Sequence, residues 1–172
     1  TIGVIGVGDC GIAVLRRAGG FGAELLGTDI RDIDANHIKA LGVNMVPLDE
    51  LLARSDFVTL HCDLNPTSDH LISRDALKKM KNTAYLINTA RGPLVEINDL
   101  AAALDAGEIA GAGLDVLPEE PPAADNPLLG RDDVVLTPHT GFYSEDALLD
   151  LQTTVATDVA SVLAGEEPKY PI

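Results

Sequence analysis

Six short apolar runs alternate with segments of helical periodicity along most of the chain, and this alternation limits the folds open to it. Strands that are apolar throughout are typical of a sheet covered on both faces, and alternation with helices is typical of parallel pairing. The runs lie at 1–7, 23–26, 56–60, 84–87, 109–114 and 134–136, and the helical segments at 9–18, 33–40, 48–53, 73–80, 98–106 and 144–163. We therefore predict an α/β fold, a doubly wound parallel sheet, in one domain over residues 1–172.

Local signals mark the ends of several of these helices. Ser73 and Asn98 are predicted N-caps, because short polar side chains accept hydrogen bonds from the first turn of a helix. Gly107 and Gly165 are predicted to end the helices before them. The proline-rich segment 118–127, PEEPPAADNP, breaks the alternation and is predicted to be a surface excursion between the last two strands.

A glycine pattern stands between the first predicted strand and the first predicted helix. The sequence from Gly6 to Gly11, GVGDCG, matches GxGxxG, in which glycines allow a tight turn and close approach of backbone to a pyrophosphate. Asp29 follows at the end of the second strand, about 20 residues on, where a carboxylate accepts ribose hydroxyls and repels a 2′-phosphate. The pattern predicts a Rossmann-type domain that binds NAD. Asp9 adds an acid beside the expected pyrophosphate and Arg31 offsets it or tolerates a ribose phosphate, so NADP stays open.

Three polar residues near the carboxyl ends of later strands suggest the chemistry. Ligands of open α/β sheets bind at this edge, where Arg91, Glu120 and His139 are expected. Reduction of a ketone needs a proton for the developing alkoxide, and histidine supplies one near neutral pH. A carboxylate such as Glu120 orients and stabilises the imidazolium, while arginine binds a substrate carboxylate through two parallel hydrogen bonds.

Each of these three residues also has a purely structural interpretation. His139 fits a loop residue that caps the following helix, Glu120 fits a solvated acid, and Arg91 fits a surface charge held by the turn at Gly92 and Pro93. Spacing alone does not bring the three together.

Four segments resemble the signature motifs of the D-isomer-specific 2-hydroxyacid dehydrogenases, in that family's order and spacing: DFVTLHCDLNPTSDHLI, INTARGPLV, GAGLDVLPEEPP and LTPHTGFYSEDA. The resemblance implies hydride transfer between NAD and a small 2-oxo or 2-hydroxy acid. It makes Arg91 the substrate-binding arginine, Glu120 the residue that orients the histidine, and His139 the general acid/base. Family members also carry a substrate-binding domain, which we expect to be absent from this chain.

The same resemblance, together with the glycine pattern, implies a set of cofactor contacts. They are Gly6, Gly8, Asp9, Cys10, Gly11, Asp29, Ile30, Arg31, His61, Cys62, Asp63, Leu64, Thr67, Thr89, Ala90, Arg91, Asp115, His139 and Gly141. His61 also fits a packing role, as does His70. Two residues depart from the family pattern: Asp9 stands where arginine is usual, and Phe142 where the C-terminal-binding-protein branch has tryptophan.

Composition narrows the remaining classes of function. A net charge of −15 with only 12 lysines and arginines argues against binding nucleic acid through its phosphates. Cys10 and Cys62 are too few for a disulfide framework and have no metal-ligand spacing, so we expect no metal. Without a transmembrane segment or a secretory signal, we expect a cytoplasmic protein.

Two functions therefore stay open at this stage. The first is an NAD-dependent dehydrogenase of small 2-oxo and D-2-hydroxy acids. The alternative is a co-regulator of the C-terminal-binding-protein type, which senses NAD and captures peptides; HCDLN and FYSEDA resemble that branch. By analogy with the family we expect a homodimer.

Overall fold

A computed structural model describes residues 1–169, except for the side chain of His37. The chain divides into two compact units, residues 1–138 and residues from 139 onward. The first unit carries the whole sheet and five of the six α-helices described, and the second carries the sixth.

Seven parallel strands form one sheet in the first unit, in the order β3-β2-β1-β4-β5-β6-β7. Their bounds are Ile2–Ile5 (β1), Leu25–Thr28 (β2), Val43–Met45 (β3), Phe57–Leu60 (β4), Tyr85–Asn88 (β5), Gly111–Leu114 (β6) and Val134–Leu136 (β7). The six predicted strands and the doubly wound parallel sheet are confirmed. The strand β3 was missed because it is a three-residue edge strand with two exposed residues, too short for a hydrophobic period.

The carboxyl ends of the strands lie in register along one edge of the sheet. Ile5 pairs with Thr28 on one side and with Leu60 on the other. The row continues through Asn88 and Leu114 and ends at Leu136. The residues that follow β1, β2, β4, β5, β6 and β7 therefore all leave the sheet at this edge.

The helices occupy most of the segments where periodicity predicts them. Their bounds are Asp9–Ala18 (α1), Ala35–Ala40 (α2), Leu48–Arg54 (α3), Arg74–Leu77 (α4), Ile97–Asp105 (α5) and Glu145–Leu163 (α6), with 3-10 turns at Gly19–Phe21 and Gly92–Leu94. The helix α4 is shorter than the predicted 73–80, because the amides of Lys79 and Met80 bond to carbonyls three residues back, which tightens the final turn.

Of the two predicted N-caps, one stands at the predicted position and the other does not. Ser73 stands at the N-cap of α4 but makes no capping hydrogen bond; the amide of Arg74 instead donates to Asp99 Oδ2 at 2.7 Å. The prediction for Asn98 is wrong, because Glu96 caps α5 and its carboxylate accepts from the amide of Asn98. Gly107 and Gly165 follow α5 and α6 with left-handed backbone, as predicted.

Two hydrophobic cores cover opposite faces of the sheet. Val4 and Leu25 belong to the core beneath α1 and α2, whereas the next residues along each strand, Ile5 and Leu26, belong to the core beneath α3, α4 and α5. This alternation follows from the two-residue period of a strand. The cores hold the strand ends, and so the site residues beyond them, at fixed spacing.

The prediction that apolar strands are covered on both faces fails at the β4–β7 side of the sheet. Phe57 and Tyr85 stack with ring centroids 5.6 Å apart and stay about half exposed, and Val135 is 68% exposed. An apolar run therefore did not by itself identify a buried strand here.

The second unit is dominated by α6. Ser144 caps it by accepting a hydrogen bond from the amide of Ala147, and Gly165, with φ of 80°, follows its end. Both ends match the predicted helix 144–163. Within residues 1–169 no helix combines the length and the apolar character needed to cross a bilayer.

Candidate dinucleotide site

A crevice of about 460 Å³ opens at the carboxyl ends of β1, β2 and β4. The strand order reverses between β1 and β4, and in open α/β sheets such a reversal is where ligands bind. Residues of the predicted cofactor set that line it are Gly6, Gly8, Asp9, Cys10, Asp29, Ile30, Arg31, His61, Cys62, Asp63 and Thr67. Asn65, which lies within the implied contact segment 62–67, also lines it, as do residues that the sequence did not single out: Ile5, Thr28, Leu48, Ser68 and Leu71.

The glycine loop has the geometry that a dinucleotide requires. Gly6 has φ of 90°, and a Cβ there would lie 2.5 Å from the amide nitrogen of Cys62. A Cβ on Gly11 would lie 2.0 Å from the carbonyl oxygen of Gly6, so only glycine lets α1 start this close to β1. Gly8 caps α1 and faces the crevice, where the helix N-terminus attracts an anion. The residues present thus fit the pyrophosphate of NAD.

We expect Gly11→Ala to weaken dinucleotide binding at least about ten-fold and to destabilise the protein by about 1–3 kcal/mol, because the new methyl group forces α1 away from β1. Gly19→Ala is the matched control, since that position has helical backbone and the new Cβ would meet only Leu25, at 3.9 Å. Urea unfolding and titration of NADH fluorescence in the full-length protein measure both effects. Equal behaviour of the two variants would contradict the role of the close approach.

Asp29 is held by four hydrogen bonds at the end of β2. Its Oδ2 accepts from the amide of Val7 at 2.7 Å and from Arg31 Nη2 at 3.0 Å. Its Oδ1 accepts from the amide of Arg31 at 2.9 Å and from Arg31 Nε at 3.0 Å. The Arg31 guanidinium, together with these amides, lowers the pKa of Asp29 to about 2. The carboxylate is therefore ionised at neutral pH.

The wall of the crevice beyond β4 combines half-buried side chains with a rigid turn. Burial lowers the pKa of His61, whose Nε2 lies 2.9 Å from Thr59 Oγ1, and raises the pKa of the Cys62 thiol. In the turn, Asn65 Oδ1 accepts from the amide of Thr67, and Ser68 donates to the carbonyl of Asp63. The pattern N-P-T-S is a turn signal that could have identified this wall.

Arg91 lies in a loop that Asn88 holds in place. The buried Asn88 amide donates to the carbonyl of Arg91 at 2.8 Å and accepts from the amide of Ala90 at 3.0 Å. The guanidinium of Arg91 donates to the Ala90 carbonyl at 2.6 Å and is exposed. Sequence reasoning missed Asn88, because a polar residue at the end of an apolar strand gives no signal of its bonding partners.

The segment after β6 packs directly against this loop. A Cβ on Gly92 would lie 2.0 Å from the carbonyl carbon of Leu117, so the two backbones touch. Glu120 Oε1 accepts from the amide of Leu117 at 2.9 Å, and the buried Asp115 accepts from the hydroxyl of Thr137. The structure thus brings the Arg91 loop and the segment that bears Glu120 together.

The remaining predicted residues lie outside the lining of the crevice. Gly11 is buried beneath it, and Leu64 belongs to its turn without lining it. Further along the same edge of the sheet lie Thr89, Ala90, Arg91 and Asp115. Within the described part of the chain no cluster of histidine, cysteine or acidic residues is arranged to hold a metal ion.

His139 and Gly141 belong to the second unit. His139 has left-handed backbone, with φ of 54°, and its ring meets Phe142 edge to face at a centroid distance of 6.1 Å. A histidine that adopts this backbone is uncommon outside turns and functional sites.

Comparison with known proteins places the chain in a family. The model described as "D-isomer specific 2-hydroxyacid dehydrogenase, NAD binding domain" matches residues 1–141. A glyoxylate reductase of Korarchaeum cryptofilum is 45% identical over 169 residues, which cover 98% of this chain and 50% of the relative. A D-3-phosphoglycerate dehydrogenase of Methanocaldococcus jannaschii is 43% identical over 96% of this chain and 32% of its own length.

The fold comparison agrees with the family match. The NAD complexed form of a D-isomer specific 2-hydroxyacid dehydrogenase from Lactobacillus delbrueckii ssp. bulgaricus has a TM-score of 0.88 at 34% identity, covering 99% of this chain and 55% of that one. The chain thus spans about half the length of the glyoxylate reductase and of this solved structure. Sheet order, glycine loop and family match agree: the chain belongs to the D-isomer specific 2-hydroxyacid dehydrogenase family and carries its NAD-binding domain.

Proposed function

We propose that the protein is an NAD-dependent dehydrogenase that interconverts a small 2-oxo acid and the D-2-hydroxy acid. The observation that carries the proposal is the packing of two loops beyond neighbouring strands. The Arg91 loop after β5 touches the segment after β6 that bears Glu120, on the same sheet edge as the dinucleotide crevice. The names of the relatives, glyoxylate reductase and D-3-phosphoglycerate dehydrogenase, support the substrate class.

Different residues of this chain bind the pyrophosphate, the ribose and the adenine of the cofactor. The amides at the start of α1 and the backbone of Gly8, which lines the crevice, receive the pyrophosphate, and Asp29 accepts the ribose hydroxyls. The side chains of Ile30 and Leu48 give the crevice apolar surface for the adenine. When bound, NAD supplies or accepts the hydride at the alpha carbon of the substrate.

The catalytic residues act on the substrate. Arg91 binds the substrate carboxylate through its guanidinium, with Asn88 fixing the loop that carries it. His139 gives a proton to the carbonyl oxygen during reduction and takes it back during oxidation. We propose that Glu120 orients His139 and that Asp115, which accepts from the Thr137 hydroxyl, fixes the backbone around the site.

A substrate panel on the full-length protein tests the function. NADH oxidation should occur with one or more of pyruvate, glyoxylate, hydroxypyruvate and bulkier 2-oxo acids. The product should be the D isomer for every acid except glyoxylate, whose reduction product is achiral. If NADH binds but none of these acids is reduced, the dehydrogenase proposal fails and the co-regulator alternative gains support. None of the relatives named above is a co-regulator.

We also infer a homodimer in the cytoplasm that binds no nucleic acid. The net charge of −15 opposes contact with phosphate backbones, and the family analogy supports the dimer. Light scattering of the full-length protein should give twice the monomer mass, and a monomer would remove the dimer from this proposal.

A further inference from the structure

One cation stands among several acids in the dinucleotide crevice. Within the described residues, Arg31 is the only lysine or arginine that lines the crevice, whereas Asp9, Asp29 and Asp63 all line it. Each of these three carboxylates raises the pKa of the Arg31 guanidinium. A pyrophosphate that enters here brings further negative charge into a site where acids already outnumber bases.

Arg31 also occupies the acceptor sites that a ribose needs. A carboxylate has about four positions at which it accepts hydrogen bonds, and Asp29 uses its two oxygens for four donors. Two of these donors belong to the guanidinium of Arg31. The side chain of Asp29 is only 4% exposed, so in this arrangement the carboxylate has no acceptor position left for a hydroxyl.

The guanidinium already lies beside the phosphate-binding loop. A Cβ built on Gly8 would be 3.3 Å from Arg31 Nη2 and meets no other atom within 4 Å. The side chain of Arg31 is 63% exposed, so its rotation is not blocked by packing. A small movement therefore takes the charge from Asp29 to the space in front of Gly8.

We propose that Arg31 exchanges partners when the dinucleotide binds: its guanidinium leaves Asp29, whose oxygens then accept the ribose hydroxyls, and it moves to the pyrophosphate in front of Gly8. After the exchange the Arg31 guanidinium pairs with the pyrophosphate, and the buried Asp29 carboxylate stays hydrogen-bonded to the ribose hydroxyls and to the amides of Val7 and Arg31. The exchange also places a positive charge beside the pyrophosphate, where the glycine loop itself carries the acid Asp9. The inference rests on the dinucleotide site and not on any particular substrate.

The test compares ligands with and without phosphate in the full-length protein. Arg31→Gln should bind ADP-ribose about ten-fold more weakly than the unaltered protein, because a charged hydrogen bond to the pyrophosphate is lost. The same variant should bind adenosine as tightly or more tightly, because Asp29 no longer carries a competing guanidinium. Calorimetry for ADP-ribose and saturation-transfer NMR for adenosine measure the two affinities without any turnover.

Arg17→Gln is the matched control, since it removes the same charge from an exposed residue on α1 that lies outside the crevice lining. It should leave both affinities unchanged. If Arg31→Gln weakens the binding of adenosine and of ADP-ribose equally, Arg31 only stabilises the structure of the site. If the variant strengthens the binding of both equally, Arg31 only competes with the ribose for Asp29. Either result overturns the exchange.

The outcome also separates this inference from the cofactor assignment. If the unaltered protein binds no ADP-ribose, the dinucleotide site itself fails, and the exchange fails with it. If ADP-ribose binds but Arg31→Gln leaves its affinity unchanged, only the exchange is overturned.

Discussion

Replacement of His139 should lower the turnover of a 2-oxo acid by about 10²- to 10⁴-fold and leave the dissociation constant of NADH unchanged, because general acid catalysis contributes about that factor. Asparagine is the substitution to use. The backbone of His139 has φ of 54°, which asparagine tolerates far better than alanine does. The loss then reports the missing proton donor and not a strained loop.

His70→Asn gives the matched control for this substitution. His70 also has left-handed backbone, with φ of 49°, and its Nε2 lies 3.3 Å from Glu96 Oε2, outside the lining of the crevice. Full turnover is expected of the His70 variant only, and not of the His139 variant. Retained turnover in that variant would remove His139 from the chemistry.

Replacement of Arg91 by alanine should reduce kcat/KM for a 2-oxo acid by about 10²- to 10⁴-fold, mainly through KM for the acid. Each charged hydrogen bond to the substrate carboxylate is worth about 1.5–3 kcal/mol, and a bidentate pair has two of them. Arg91→Lys should recover only part of the loss, because an ammonium group is a point charge without the planar fork.

The matching 2-oxo amide distinguishes carboxylate binding from loop damage. An amide offers no negative charge to the guanidinium. Arg91→Lys should therefore have the same kcat/KM for the amide as the unaltered protein. Arg16→Lys, on the exposed side of α1, controls for the substitution itself. An equal loss with acid and amide would indicate that Arg91 supports the loop and does not bind the carboxylate.

Hydrophobic periodicity was enough to predict six of the seven strands, and the glycine pattern with Asp29 was enough to predict the crevice at the sheet edge. The helix α1 has the predicted bounds because glycines before it and apolar positions along it are local signals. The strand β3 and the end of α4 were missed, since they depend on an edge pairing and on a tightened turn that no periodic pattern encodes. The cap of α5 was misplaced by two residues, because the Glu96 carboxylate accepts from the amide of Asn98 and so Asn98 lies inside the first turn.

Site residues were predictable to the extent that each follows a strand. Asp29 was found from its spacing, but its pairing with Arg31 depends on side-chain geometry that the sequence leaves open. Asn88 was missed for the related reason that its function lies in two hydrogen bonds to a loop. The meeting of Glu120 and His139 stays a prediction, and the His139 variant is its first test.

The contact at Gly92 has a consequence for how such a protein can diverge. The backbone at Gly92, next to Arg91, contacts the backbone at Leu117, which leads to Glu120, and no side chain lies between them. Lengthening or repacking either one shifts the other. Substitutions away from this backbone contact should therefore alter substrate preference more readily than changes within the two contacting segments.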